Sequence, residues 1–205
     1  MSAYLRPRVP GATVFFTVEL AEQGSDLLTR QIGLLRDAVR ETRAARPFRI
    51  EAWVVMPDHL HAVWTLPEGD AGYSARWGAI KARFTRAVRD SGRVGFHPTV
   101  YPDGTRSVVG WNPTLRSASK LRKGDAGVWQ RRFWEHHIRD EADFRAHVEY
   151  CWVNAGPPEA VIGPVVRLRR ERAERRSNPV KHGFVENPAH WTYSSYHRDR
   201  KRFGM

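Results

Sequence analysis

A chain of 205 residues with 41% hydrophobic residues has enough apolar side chains to build one domain around its own core. Its 34 Lys and Arg outnumber 22 Asp and Glu, for a formal charge of +12 spread over many segments; this points to nucleic acid before membrane, because no segment joins a basic face to a large apolar one. The single cysteine, Cys151, excludes an intrachain disulfide and a Cys-rich zinc ribbon, and the absence of a long apolar run, a signal-peptide layout, a Walker loop or a dinucleotide fingerprint predicts a soluble, cytoplasmic protein that needs no nucleotide cofactor.

In chain order, residues 12–20 carry a β-prone Thr-Val-Phe-Phe-Thr-Val core and predict a first strand. Over 25–42, Leu28, Ile32, Leu35 and Val39 recur at helical spacing with Ser25 as N-cap. Residues 50–56 and 59–66 are two β-prone runs joined by Pro57-Asp58, in which Pro fixes φ and Asp bonds its own backbone, so they predict a hairpin. A helix over 74–90 follows, with Trp77, Ile80, Phe84 and Val88 on one face. Residues 91–125 lack periodicity and predict a long loop, basic at Arg116, Lys120, Arg122 and Lys123. A strand over 127–138 and a helix over 140–154, capped by Asp140 with Asp143 at its third position, complete the series. Strand, helix, strand, strand, helix, strand is the split βαβ order of an α+β, ferredoxin-like sandwich, an antiparallel sheet with helices on one face, here with a C-terminal helical extension.

Two constellations carry chemistry. Side chains two apart in a strand share a face, so His59 and His61 project together while Leu60, Ala62, Trp64 and Leu66 project the other way. Taken alone a His-x-His pair is a weak motif and amounts to half a metal site. On the 140–154 helix, Phe144, Val148 and Cys151 make the core stripe, with His147, Tyr150 and Asn154 on an adjoining polar stripe. Arg131 and Arg132 lie among aromatic residues, a mixture suited to phosphate contacts beside base stacking and equally to an ordinary edge strand.

The stretches RPFRIEAWVVMPDHLHAVWTLPEGD, WQRRFWEHHIRDEADFRAHVEY and NPVKHGFVENPAHWTYSSY, in that order, resemble the REP-associated tyrosine transposases, single-tyrosine relatives of the HUH transposases of bacterial insertion sequences. The resemblance spans nearly the whole chain. It implies a ferredoxin-like fold and a divalent-metal-dependent strand transferase that nicks single-stranded or hairpin DNA at palindromic repeats through a 5'-phosphotyrosine, working as a monomer on chromosomal DNA. It assigns His59 and His61 to the metal with Asn154 completing the site, Tyr150 to the nucleophile, and Mg²⁺ or Mn²⁺ as cofactor. Arg131, Arg132, Lys120, Arg122, Lys123 and Lys181 are the expected DNA contacts. Such chemistry is coherent: an ordinary phenol titrates near about 10 and needs activation, yet an aryl phosphate ester leaves well, so the intermediate conserves the bond energy for rejoining without ATP.

The chain departs from that pattern at one place. The family's tyrosine helix runs almost directly into the NPVKHG element, whereas here residues 155–177 intervene, with a Pro157-Pro158 pair and a run of Arg and Glu over 167–176. The expected organisation is a catalytic domain over 1–154, a basic insertion over 155–177, and a segment over 178–205 that completes the same domain. Either Asn154 or Asn178 can then fill the family's polar position. The alternative to an active transposase is a domesticated hairpin-binding protein whose catalysis the insertion impairs.

Overall fold

The computed structural model describes residues 6–93, 99–100, 106–107, 127–152, 185 and 187–203. The strands are β1 (Thr13–Glu19), β2 (Arg49–Val55), β3 (His59–Thr65), a two-stranded ribbon of β4 (Thr99–Val100) and β5 (Arg106–Ser107), and β6 (Trp134–His137). The helices are α1 (Leu27–Arg30), α2 (Ile32–Ala45), α3 (Tyr73–Arg93), α4 (Glu141–Trp152) and α5 (Tyr196–Phe203), with a 3₁₀ turn at Pro188–His190. β2, β3, β1 and β6 lie side by side in that order, every neighbouring pair antiparallel. This is the ferredoxin-like strand order expected from the element order, but helices cover both faces of the sheet, α2 and α3 one and α4 the other, where helices on one face were expected.

Alternation along the strands separates two apolar layers. Val14, Phe16 and Val18 of β1 and Leu60, Ala62 and Trp64 of β3 meet Leu35, Ala38 and Val39 of α2 and Trp77, Ile80 and Phe84 of α3. Trp64 and Trp77 stack at 4.2 Å between centroids, with Phe48 4.1 Å from Trp64, an aromatic centre whose large rings exclude water from the middle of the layer. On the opposite face Phe15, Ala52, Val54, Met56 and Val63 meet Val148, Cys151 and Trp152 of α4, with Tyr196 of α5 packed alongside. The C-terminal segment also closes the outer edge of β2. Tyr193 O accepts from Val55 N at 2.9 Å and Ser195 N donates to Trp53 O at 2.9 Å, so the edge's backbone groups are paired within the chain.

Four local differences from the sequence expectation have physical causes. The 25–42 helix is broken at Gln31, where φ −108° and ψ 33° separate α1 from α2; Leu28 N, in the first piece, donates to Pro57 O at 3.0 Å and is pulled toward the hairpin loop. The N-cap position falls on Asp26 instead of the expected Ser25, whose Oγ accepts from Leu27 N at 3.3 Å from one residue further out. In β2, Ile50 pairs with Trp64 and Ala52 with Val63, so Glu51 is the extra residue of a bulge. Its carboxylate is 1% exposed and bound by Arg49, by Thr65 Oγ1 at 2.7 Å and by Arg202 Nη1 at 2.9 Å. Finally, the strand expected over 127–138 reduces to β6 plus one bridge from Trp129 to Leu20. Thr17 pairs with Trp134 and Leu20 with Trp129, three steps on β1 against five on its partner, and the two surplus residues bulge out.

Candidate active site

The faces of β3 are decided by its neighbours, and the consequence for the histidines is immediate. Glu19 lies opposite His59, Thr17 opposite His61 and Phe15 opposite Val63 across the β1–β3 ladder, while Val54 is opposite His61 on β2. Both imidazoles therefore stand on the α4 face, their rings 5.1 Å apart and 6% and 3% exposed. Leu60, Ala62, Trp64 and Leu66 belong to the α2–α3 layer, as the alternation requires.

Each imidazole has its Nδ1 held. The His59 nitrogen is 2.7 Å from Asp58 Oδ1, and the His61 nitrogen is 2.9 Å from Thr17 Oγ1. Partners on one ring nitrogen fix ring orientation and leave Nε2 as the nitrogen that would carry a coordinating lone pair. Asp58 does more than close its turn: its Oδ2 accepts from Gly24 N at 2.8 Å. Burial opposes its ionisation, but the hydrogen bonds from His59 and Gly24 and the charge of His59 outweigh it and hold the carboxyl at about 2. The loop is further clamped by Leu20 N, which donates to Asp58 O at 2.8 Å.

Helix α4 brings the tyrosine over this pair. Asp140 Oδ1 accepts from Asp143 N at 2.8 Å, the N-cap expected from the sequence, and Val148, Cys151 and Trp152 seat the helix on the sheet. Tyr150, half-buried, lies edge-on to His61 with 5.1 Å between ring centroids and edge-on to Phe15 at 5.6 Å. A small cleft is lined by Thr17, Glu19, Leu20, Gln23, Asp58, His59, His61 and Tyr150. Two neutral-capable imidazoles with oriented Nδ1 atoms, beside carboxylate and amide oxygens, form a donor set that fits a divalent ion. Cys151, next to the tyrosine, is fully buried and its thiol is pushed far up by burial and then by Asp199, so it is chemically inert there.

Of the other expected site residues, Arg131 and Arg132 are exposed in the bulge before β6. They adjoin Trp134, 42% exposed, which lies opposite Thr17 and thus in the same cross-strand row as His61. Asn154, Lys120, Arg122, Lys123, Lys181 and the alternative Asn178 lie outside the described residues.

The sequence reading missed a second polar cluster on the same face. His136 Nε2 is 2.9 Å and 3.1 Å from the two oxygens of Asp143. His147 Nδ1 is 3.0 Å from Asp143 Oδ1 and 2.8 Å from the Asp143 carbonyl oxygen. Arg139 donates to Oδ2 through its backbone N at 3.1 Å. Burial resists the charge on Asp143, but His136 and the Arg139 amide hold its carboxyl below the ordinary range; burial also keeps His147 low, favouring the neutral ring. The i, i+4 spacing of Asp143 and His147 was visible, but their meeting with His136 depends on the β1–β6 register. Thr17 was legible only as a polar position in an alternating strand.

Among the described residues no helix is long and apolar enough to cross a membrane. No protein-family model matches the chain. It is 36% identical over 202 residues to the REP-associated tyrosine transposase of Escherichia coli K12, an alignment covering 98% of this chain and 87% of that protein. The solved structure of the REP-associated tyrosine transposase bound to a REP hairpin is similar at a TM-score of 0.67 and 36% identity, over 99% of this chain and 87% of the other. With a His-x-His pair and a helical tyrosine gathered at one cleft, and with that identity along nearly its whole length, the chain belongs to the REP-associated tyrosine transposases.

Proposed function

We propose that this protein nicks and rejoins single-stranded DNA at palindromic, hairpin-forming repeats, with Tyr150 as nucleophile. The observation that carries the reading is the approach of Tyr150 to His61, 5.1 Å between rings, at the cleft that His59 also lines. Tyr150 Oη attacks the scissile phosphorus, a new O–P bond links the tyrosine to the 5' phosphate, and the P–O3' bond breaks. The phenolic proton is lost to solvent or a neighbouring base, and the departing 3' oxygen takes up a proton to become a hydroxyl. Attack by that hydroxyl, or by another 3' end, reverses these changes and frees the tyrosine.

His59 and His61 would hold a divalent ion, Mg²⁺ or Mn²⁺, which when bound supplies charge neutralisation at the phosphate oxygens. Asp58 and Thr17 keep the two rings turned for that task. Arg131 and Arg132 provide phosphate contacts, and exposed Trp134 beside them offers a face on which a base can stack. A relative solved with a REP hairpin supports DNA of this shape as the partner.

Incubation of the wild-type protein and Tyr150→Phe with hairpin single-stranded DNA and Mn²⁺ tests the proposal. A denaturant-resistant protein–DNA adduct from the wild type alone is the expected result. Hairpin binding with no adduct from either protein would replace it with the reading of a catalytically impaired DNA-binding relative.

A further inference from the structure

We propose that His136, Asp143 and His147 form a second metal site, separate from the His59–His61 pair, that takes a borderline divalent ion such as Zn²⁺ and ties the tyrosine helix to the edge strand.

Three observations converge on it. The three side chains each direct one ligand atom into a common space, all within 4.8 Å of one another. Asp143 and His147 are one turn apart on α4, a spacing that puts two ligands on the same helix face, and His136 of β6 approaches from the sheet. The two separations from Asp143 Oδ1 are those of ligands sharing an ion. Atoms about 2.1 Å from one metal and next to each other in its coordination shell are about 3.0–3.4 Å apart. Here His136 Nε2 and His147 Nδ1 are 3.1 Å and 3.0 Å from Asp143 Oδ1. The same distances suit hydrogen bonds, which describe the ion-free form of the cluster; His147 Nδ1, whose proton there goes to the Asp143 carbonyl oxygen at 2.8 Å, gives that proton up when an ion binds.

Orientation and chemistry fit as well. The two imidazoles stack at 4.6 Å and 13°, and each turns a nitrogen toward Asp143 Oδ1. Arg139 N fixes Asp143 Oδ2 at 3.1 Å, an outer contact that orients Oδ1 toward the histidines. The Arg139 guanidinium, 3.3 Å from Oδ2, is 53% exposed and can turn into solvent when a cation enters. His136, with 19% of its side chain exposed, gives the entry route. Two imidazoles and one carboxylate suit Zn²⁺ or a neighbouring transition ion, for which imidazole is a good ligand. The ring of Phe15 lies between the two sites, 4.9 Å from His147 and 5.6 Å from His61, so they are distinct. An ion at this place would clamp α4 to β6 one helical turn before Tyr150.

The test uses the full chain, stripped with chelator and titrated with Zn²⁺ and with Co²⁺, whose visible absorption reports the ligand set. His59→Gln/His61→Gln should keep one bound Co²⁺ with nitrogen-rich absorption and a Zn²⁺-dependent rise in Tm. His136→Gln should weaken that ion at least about tenfold, since even outer-partner losses cost about 10–100-fold, and should lose the Tm response. Asp143→Asn and His147→Gln should do the same. If either of these fails to fold by circular dichroism, His136→Gln, on a half-buried edge position, decides alone. The proposal is overturned if His136→Gln titrates like the wild type, if wild type binds neither ion at this site, or if the double His59/His61 variant loses all binding. These readouts are independent of nicking, so they stand apart from the role given to Tyr150.

Discussion

The two faces of the sheet are built to different rules. Under α2 and α3 the layer is apolar throughout its middle, with Trp64, Trp77, Ile80 and Phe84 all 0% exposed. Under α4 the same strands present His59, His61, Thr17, His136 and Trp134 among fewer apolar residues, and Asp143 and His147 come down from the helix to meet them. The first face is an apolar packing layer, and the second gathers polar and titratable side chains. Because strand alternation assigns every second residue to each face, β1 and β3 serve both at once: Phe16 and Ala62 pack, while Thr17 and His61 position. Adjacent histidines in β6 show the division. His136 joins the polar cluster, whereas His137 stands against Tyr73 at 5.7 Å in the apolar layer, and burial pushes its pKa down toward the neutral form.

The largest contrast is expected from Tyr150→Phe and Trp77→Ala. Removing the phenolic oxygen should cost at least about 10³-fold in hairpin nicking, the scale of losing a nucleophile, with a melting curve close to wild type. A nicking rate within tenfold of wild type would dissolve the functional half of the comparison. Trp77→Ala should cost about 3–5 kcal/mol in chemical denaturation, the range for a large buried aromatic. A loss below about 1 kcal/mol would mean the apolar face does not carry the fold.

A smaller effect sharpens the boundary at Thr17, a residue of the site face with no place in the apolar layer. Thr17→Val keeps the shape and removes the hydroxyl beside His61 Nδ1. Mn²⁺ affinity at the His59–His61 pair should fall about 10–100-fold, as when outer partners of metal ligands are lost, while stability changes little; calorimetric titration measures the first and a melt the second.

Glu51 tests whether the C-terminal helix is part of the scaffold. Burial resists its charge, but Arg49, Thr65 and Arg202 outweigh that and lower its pKa below 4.5. A carboxylate with a folded value below its unfolded one stabilises fully above the unfolded value, and the contribution disappears as pH falls through the folded value. Glu51→Gln should therefore cost about 1–3 kcal/mol at neutral pH, the range for disturbing a charged buried hydrogen-bond group, and the gap from wild type should close below pH 4.5. A gap that persists unchanged at pH 3 would sink the electrostatic account. The exposed guanidiniums of Arg49 and Arg202, 65% and 46% accessible, can rehydrate and keep the cost modest.

The smallest effect is expected at Arg131 and Arg132, exposed beyond the end of β6. Their double replacement by Ala should leave stability unchanged and make the plot of log K against log salt shallower by about 1–2 units for hairpin DNA. An unaltered slope would remove them from the DNA surface.

Much of this was legible in residue order. The i, i+2 placement of His59 and His61 opposite the apolar run of Leu60, Ala62 and Trp64 needed only strand alternation, and the spacing of Trp77, Ile80, Phe84 and Val88 needed only helical periodicity. Asp140 as N-cap and the Pro57-Asp58 hairpin followed from local backbone chemistry. The break at Gln31 and the bulges at Glu51 and before Trp134 were not legible, because the local residue pattern carries no mark of them and the bulges depend on register against a partner strand.

The sequence by itself determined which residues face together within an element, because side-chain direction repeats with the backbone period and requires no knowledge of neighbours. It thus set the histidine pair, the tyrosine stripe and the basic character of the chain. Only the tertiary structure decided which faces meet. The register of β1 against β3 and β6 gave His61 its Thr17 and Trp134 its place in the same row, and the seating of α4 brought Tyr150 to His61 and Asp143 to His136. Those contacts join residues 44 to 89 positions apart for His61 with Thr17 and with Tyr150, and a pairing over such distances is fixed by packing of whole layers, which no local pattern encodes.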